Sequence, residues 1–260
     1  MNKRSIAGCL TVASMLVACG GPVTSDDVQD ITESEYPIRW TPKSEADWHF
    51  ETLVDAYQAL GSMTEQELFD VSTDEALAAG TGTWFTQSVK DFADRPARDM
   101  AVEITMQRIP VPYDEFMTQL PATSWGVNLA HYLGGELQVV ESDSEGRPTR
   151  QIERMVLSPF PCDFSSDLTN NDMTKLEIIE YEADSARVIW RVMHSDNNST
   201  LDDVGSVEFR ADGDDTMVTF HSAHRVNALG GVRVPSWVLA PVLPSVFLGY
   251  IDHYADLAQR

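Results

Sequence analysis

Few residues in this 260-residue chain have the types and spacing that covalent chemistry needs. Its three cysteines are Cys9, Cys19 and Cys162. Cys19 closes the run Leu16-Val17-Ala18-Cys19, which sets small residues in front of a thiol nucleophile. Cys162 stands in Pro159-Phe-Pro-Cys162-Asp, and catalysis there would require a paired base that the sequence does not reveal. His221 and His224 lie three apart on a predicted strand, so they point to opposite faces and cannot chelate one metal as a strand pair. No Gly-x-Ser-x-Gly elbow, His-Glu-x-x-His pair, phosphate loop or dinucleotide fingerprint occurs. No catalytic residue, metal ligand or cofactor site is therefore assigned. Asn198-Ser-Thr200 fits a glycosylation acceptor only in a eukaryotic secretory route.

The surroundings of Cys19 give it a use. Lys3 and Arg4 form a positive start, and Ile6 to Val17 form an apolar run that stops at Gly20-Gly21-Pro22. That run is shorter than the about 20 residues of a membrane-crossing helix. With Leu16 to Cys19 it resembles a bacterial lipoprotein signal ending in a lipobox. The resemblance implies cleavage before Cys19, a diacylglycerol on its sulfur and an acyl chain such as palmitate on its new amino group. Two such signals hold where one chain binds only reversibly, since each buried methylene contributes about 0.8 kcal/mol. Gly20 stands where inner-membrane retention uses Asp, so the resemblance implies an outer-membrane, lipid-anchored protein of the cell envelope.

Composition bounds what the remaining chain can do. Loss of residues 1–18 removes Lys3 and Arg4 and no acids, so the formal charge moves from −23 to −25. Such a chain repels phosphates, which argues against nucleic acid and against charge-driven adsorption to anionic lipid. Cys9 leaves with the signal and Cys19 is consumed by lipid, so Cys162 has no intramolecular partner and packing must carry the fold. Roughly 240 mature residues with 43% hydrophobic content can bury one sizeable core.

Four segments follow from the pattern. Residues 1–18 are the signal, and residues 19–44, rich in acids, Gly and Pro, read as a solvated tether. Residues 45–97 read as helical: Phe50, Leu53, Val54, Tyr57 and Leu60 share a helical face, Gly61 is the expected stop, and Thr64 to Glu67 and Ser72 to Glu75 resemble capping boxes. From Ala101 the period becomes two, with Val102, Ile104 and Met106 alternating with polar neighbours, and a second domain is taken from residue 98. A short helix is expected over Tyr113 to Leu120. Strands follow at 137–141, 151–157, 175–181, 186–193, 205–210 and 216–226, with turns at 143–148 and 212–215. Val188, Trp190 and Val192, Val207 and Phe209, and Val218 and Phe220 share one face, so the sheet is expected to be antiparallel and covered on one side. A short helix ending near Ala240 and a longer one bearing Phe247, Tyr250, Ile251, Tyr254 and Ala258 supply the cover.

This order, with Gly213 to Phe220, then Gly230-Gly231-Val-Arg-Val-Pro235-Ser-Trp237 and a terminal helix, resembles the START-like helix-grip (SRPBCC) superfamily over residues 98–260. The resemblance implies an α+β helix-grip fold: a curved antiparallel sheet wrapped around a long C-terminal helix, here preceded by a helical N-terminal segment. It also implies a tunnel between sheet and helix for lipids or other apolar molecules. By strand parity the lining comprises Val102, Ile104, Met106, Val188, Trp190, Val192, Phe209, Val218 and Phe220. The terminal helices add Trp237, Phe247, Ile251 and Tyr254. Met106, Trp190, Phe209, Phe220, Trp237, Phe247, Ile251 and Tyr254 are the candidate ligand-binding residues, and Cys19 is the lipidation site.

The expected function is a lipid-anchored envelope protein that binds, and can carry, a hydrophobic small molecule or lipid without chemistry, partnered by the membrane through Cys19 and by no nucleic acid. One rival is a cyclase- or hydrolase-like enzyme using polar groups in the same cavity, with Tyr113, His131, Tyr181 and His224 as candidates. Another is an interaction module whose acidic surface docks a basic partner.

Overall fold

The computed structural model describes residues 50–69, 82–94, 98–158, 170–195, 199–228 and 232–260. The signal, Cys19, the tether, Ser72 to Glu75, Cys162, Asn198 and Gly230-Gly231 lie outside them. No helix among the described residues is long and apolar enough to cross a membrane.

The elements run α1 (Phe50–Phe69), β1 (Thr83–Val89), β2 (Met100–Ile109), α2 (Tyr113–Gln119), β3 (Tyr132–Ser142), β4 (Pro148–Leu157), β5 (Asn171–Tyr181), β6 (Ser185–Ser195), β7 (Thr200–Asp212), β8 (Asp215–Ala228), β9 (Val232–Arg233), α3 (Ser236–Leu239) and α4 (Leu243–Ala258). One antiparallel sheet has the order β1-β2-β8-β7-β6-β5-β4-β3, with β9 paired to the far end of β8. Consecutive strands from β3 to β8 are neighbours, and the tight turn Asp212 to Asp215 between β7 and β8 puts Gly213 at φ +66. Register shifts in the β3–β4, β5–β6 and β7–β8 pairs mark the irregularities that bend the long strands. The curved sheet closes on α4, whose buried stripe is Leu243, Phe247, Ile251, Tyr254 and Ala258. Pro244 falls in its first turn, where a missing N–H costs no intrahelical bond.

Three expectations change. Residues 83–89 are not helical but form the edge strand β1, paired residue for residue with β2. The run Thr83-Trp-Phe-Thr-Gln-Ser-Val89 is rich in β-branched and aromatic residues, which suit a pleated surface. Gly61 does not end the first helix, which continues to Phe69. An interior glycine costs about 1 kcal/mol, and the helix formers that follow it offset that. The sheet is also covered on both faces: Phe50 and Leu53 pack on Ile152, Leu176 and Ile189, while Leu60 packs with Met100, Val102, Val204 and Ala223.

Candidate functional site

The second covered face settles strand parity on β2. Val102 belongs to the cluster beneath α1. The opposite parity therefore turns towards α4, where Gln107 Nε2 donates to Asp252 Oδ1 at 3.0 Å. Met106, with Val102 and Ile104, thus sits on the convex face, and its assignment to the ligand lining is corrected. An alternating strand tells which residues share a face but not which face the grip encloses. Trp237, on α3, lies outside the core under α4 and is 67% exposed. Pro235 opens α3 and Ser236 is the residue that turns inward, meeting Ser88 of β1. The other six candidates come together in one core with α4. Phe220 lies 5.0 Å from Phe247 and 6.3 Å from Tyr254, ring centre to ring centre, and Phe209 lies 5.9 Å from Tyr254. Ile251 is fully buried among them.

Two polar networks share this interior, and a tryptophan stack joins them. Trp125, delivered by the turn after α2, stacks on Trp190 of β6 at 4.6 Å. Trp125 Nε1 donates to Glu177 Oε1 at 3.0 Å, while Trp190 Nε1 donates to Asp203 Oδ1 at 2.8 Å. Gly205 lies opposite Trp190 on β7, and a Cβ there would stand 2.7 Å from the indole and 2.6 Å from the His221 carbonyl. The stack thus depends on a glycine for its space.

On the Trp125 side, Lys175 Nζ meets Glu153 Oε2 at 2.6 Å and Glu177 Oε1 at 3.0 Å, and sits 3.9 Å above the Trp125 ring. All three ionisable groups are buried. Gln151 Nε2 donates to Glu177 Oε2 at 2.6 Å, but Gln151 Oε1 is buried without a hydrogen-bond partner. Burial raises the Glu153 carboxyl to about 8 against the pull of Lys175. For Lys175 burial pulls downward, yet its two carboxylate neighbours leave it raised.

On the Trp190 side, β-pairing aligns Asp203 with His224 and Glu103 with Ser222. His224 Nδ1 lies 3.2 Å from Asp203 Oδ2, and its Nε2 lies 2.6 Å from Ser222 Oγ. Ser222 Oγ also donates to Glu103 Oε1 at 2.8 Å, and Thr105 Oγ1 donates to Glu103 Oε2 at 2.6 Å. Burial raises Glu103 to about 7 against these hydrogen bonds. Burial lowers His224, but Asp203 and Glu103 outweigh it and leave the imidazole raised. Phe247 covers His224 at 5.4 Å. His221 faces the other way, edge-on to Tyr57 of α1, as two strand residues three apart must.

Of the four residues a rival enzyme would use, His224 is buried in this interior, and Tyr113 and Tyr181 are partly buried against the same core. Tyr181 lies under Arg147 near the β3–β4 turn, and His131 is half-buried in the loop before β3. Glu103, Glu153, Lys175, Glu177, Asp203, Ser222 and Trp125 were not legible as site residues. Their signal was present, since Gln151, Glu153, Lys175 and Glu177 share strand parity with Met155 and Met173 of the core.

Buried aromatic rings occupy the interior between the concave sheet and α4. Two clefts lie outside it: one of about 260 Å³ between α1 and the convex face, bordered by Asp55, Phe92, Arg98 and Asp202, and one of about 330 Å³ between Pro110 to Pro112 and Arg260. Trp125, Trp190, Phe220, Phe247 and Tyr254 pack against one another between the concave sheet and α4, where the family resemblance implies a tunnel.

No family model and no curated protein matches the sequence. Solved structures do match the fold. Human StAR-related lipid transfer protein 5 aligns with a TM-score of 0.50 at 10% identity, covering 81% of this chain and 98% of that one. A STAR-related lipid transfer protein fragment from Xanthomonas axonopodis gives 0.44 at 14% identity over 68% of this chain and 99% of its own. An aromatase/cyclase from Streptomyces sp. R1128 gives 0.42 at 10% identity, over 69% and 95%. With the sheet order and the terminal helix, the first of these defines the class: an α+β protein of START-like helix-grip fold.

Proposed function

We propose that this chain is a lipid-anchored protein of the cell envelope that binds an apolar ligand such as a lipid in the grip between the concave sheet and α4. One observation carries the reading: the concave face buries Glu103, Glu153, Glu177, Asp203, Lys175 and His224 among aromatic rings. Burying ions costs several kcal/mol each unless they are fully paired, and aliphatic side chains would hold the same elements at less cost. Polar groups at fixed places in an apolar enclosure can orient an amphiphilic guest. Entry requires the covering helices to part from β1, where Thr86 Oγ1 donates to the Ala240 carbonyl at 2.6 Å and the Ser88 and Ser236 hydroxyls meet at 2.6 Å. The ligand then replaces the ring of Phe247 against Phe220 and His224. The lipobox supplies the membrane, and the tether keeps the domain near it.

Mass spectrometry of molecules co-purifying from native membranes, with titration of a fluorescent fatty acid into the delipidated protein, tests binding. Saturable binding that is weakened by Phe247→Ala and competed by lipid extract is the expected result. Folded protein without saturable binding to any lipid class overturns it. Palmitate labelling tests the anchor: Cys19→Ser should leave an unlabelled, larger precursor, and normal processing with label would remove the anchor from the reading.

A further inference from the structure

We propose that Ser222, His224 and Asp203 form a nucleophilic site that cleaves a carboxylic ester of a lipid-like molecule bound in the grip; this rests on the proposed binding of an apolar ligand there. The order of contacts is the one ester cleavage needs. Ser222 Oγ faces His224 Nε2 at 2.6 Å, and the other ring nitrogen, Nδ1, faces Asp203 Oδ2 at 3.2 Å. Asp203 is itself fixed by the Trp190 indole at 2.8 Å, so the carboxylate that orients the imidazole cannot swing away. The register makes the arrangement rigid. Ser222 and His224 are alternate residues on one face of β8, and Asp203 is the direct cross-strand partner of His224. The imidazole joins a hydroxyl to a carboxylate through opposite nitrogens, the arrangement in which a base can take a proton from the hydroxyl while the carboxylate holds its ring.

The chemistry balances with water as the second reactant. With imidazole neutral at Nε2, the hydroxyl turns from Glu103 towards it. Ser222 Oγ then bonds to the ester carbonyl carbon as its proton passes to His224 Nε2, and Asp203 holds the resulting imidazolium. The tetrahedral adduct collapses with loss of the alcohol, whose oxygen takes the proton from His224. Water attacks the acyl-serine in the same way, giving the free acid and restoring Ser222. At rest Ser222 is fully buried beneath Phe247, so the site opens only when the α3–α4 cover leaves β1. That enclosure favours a substrate whose apolar chain displaces the covering rings over a small soluble ester.

The test uses the full-length protein in detergent micelles, with p-nitrophenyl esters from acetate to decanoate and a biotinylated fluorophosphonate. Turnover that rises with chain length and a fluorophosphonate adduct mapped to Ser222 are expected. Ser222→Ala should lose both, with turnover down about 10³-fold or more, while Asp203→Asn should lower turnover by about 10²-fold or more. Wild-type protein that binds a fatty probe saturably yet takes no label and turns over no ester faster than Ser222→Ala overturns the proposal and leaves binding intact. Loss of probe binding as well overturns both. If Ser222→Ala fails to fold, the site of the adduct in the wild type decides: label elsewhere, or none, overturns it.

Discussion

The two faces of the sheet are each covered by a helix with an apolar stripe, yet they enclose different chemistry. Under α1, Leu53 and Leu60 meet Ile152, Leu176, Ile189, Met100 and Val204, a mainly aliphatic interior that also holds Tyr57 against His221. Under α4, the aromatic rings are threaded by four carboxylates, a lysine and a histidine. The convex side holds α1 mainly by aliphatic packing, with Tyr57 adding contacts to Ser206 and His221. The ions on the concave side are therefore not needed to join helix to sheet, and their cost points to a role in what the grip accepts.

The strongest way to break that contrast is to remove the cation from the concave side. Lys175→Met leaves Glu153 and Glu177 buried with no positive charge between them, and a loss of about 3–5 kcal/mol is expected in urea unfolding at pH 7. Adding Glu153→Gln and Glu177→Gln should recover most of it. On the convex side, Leu53→Ala should cost about 2–5 kcal/mol by leaving a cavity, and it should not change fatty-probe affinity once folded. Should Lys175→Met cost no more than a surface substitution, about 0.5 kcal/mol, the ionic cluster is not the closed unit described.

The two faces should also respond to pH in opposite directions. Glu103 is raised from 4.5 to about 7 in the fold, so its stability contribution is complete below pH 4.5 and is lost as pH rises through about 7. Glu153, raised to about 8, extends that loss, and His224, also raised, acts in the same sense above 6.5. His221 on the convex face is lowered from 6.5 to about 4 by burial and the nearby Arg187, so its contribution is present above pH 6.5 and lost as pH falls through about 4. Unfolding midpoints from pH 4 to 9 should show each limb, on the order of 1–3 kcal/mol deep. Glu103→Gln should flatten the fall between pH 4.5 and 7, and His221→Asn should flatten the acid limb. An alkaline limb unchanged in Glu103→Gln would show that this carboxyl is not held protonated by the fold.

How far the sequence revealed this contrast depends on what kind of signal each part leaves. The long strands, their turns and the stripe from Leu243 to Ala258 were legible, because periods of two and of 3.6 are written directly in residue order. That Trp190, Phe209, Phe220, Phe247, Ile251 and Tyr254 share one core was legible for the same reason. Met106 was misplaced because β2 is apolar on one parity and polar on the other. The polar parity, Glu103 and Thr105, reads as solvent-facing in any sheet with one covered face. Once α1 is known to cover the convex side, that polar row must turn into the grip. Trp237 is a different case, since only the packing of α3 against β1 decides which residue of a four-residue helix turns inward. The pairing of Asp203 with His224 needs the β7–β8 register, which residue order alone did not fix.

The smallest effect, and the one most specific to the concave side, concerns the tryptophan stack. Trp125→Phe keeps an aromatic ring over Trp190 but removes the indole N–H that Glu177 Oε1 accepts at 3.0 Å. Glu177 still has Lys175 at 3.0 Å and Gln151 at 2.6 Å, so the carboxylate is not orphaned. Phenylalanine also offers Lys175 a weaker face than indole. The lost hydrogen bond to a charged group and the weaker cation–ring contact together should cost about 1–2 kcal/mol, well under the loss from Lys175→Met. Near-ultraviolet circular dichroism gives the sharper readout, because two indoles 4.6 Å apart couple their transitions and a phenyl ring cannot replace one of them. Trp190→Phe should abolish the same signal while releasing Asp203 rather than Glu177, and so should disturb His224 instead of Lys175. If Trp125→Phe and Trp190→Phe leave the near-ultraviolet spectrum as it was, the stack does not form, and the two polar networks are separate sites rather than two ends of one.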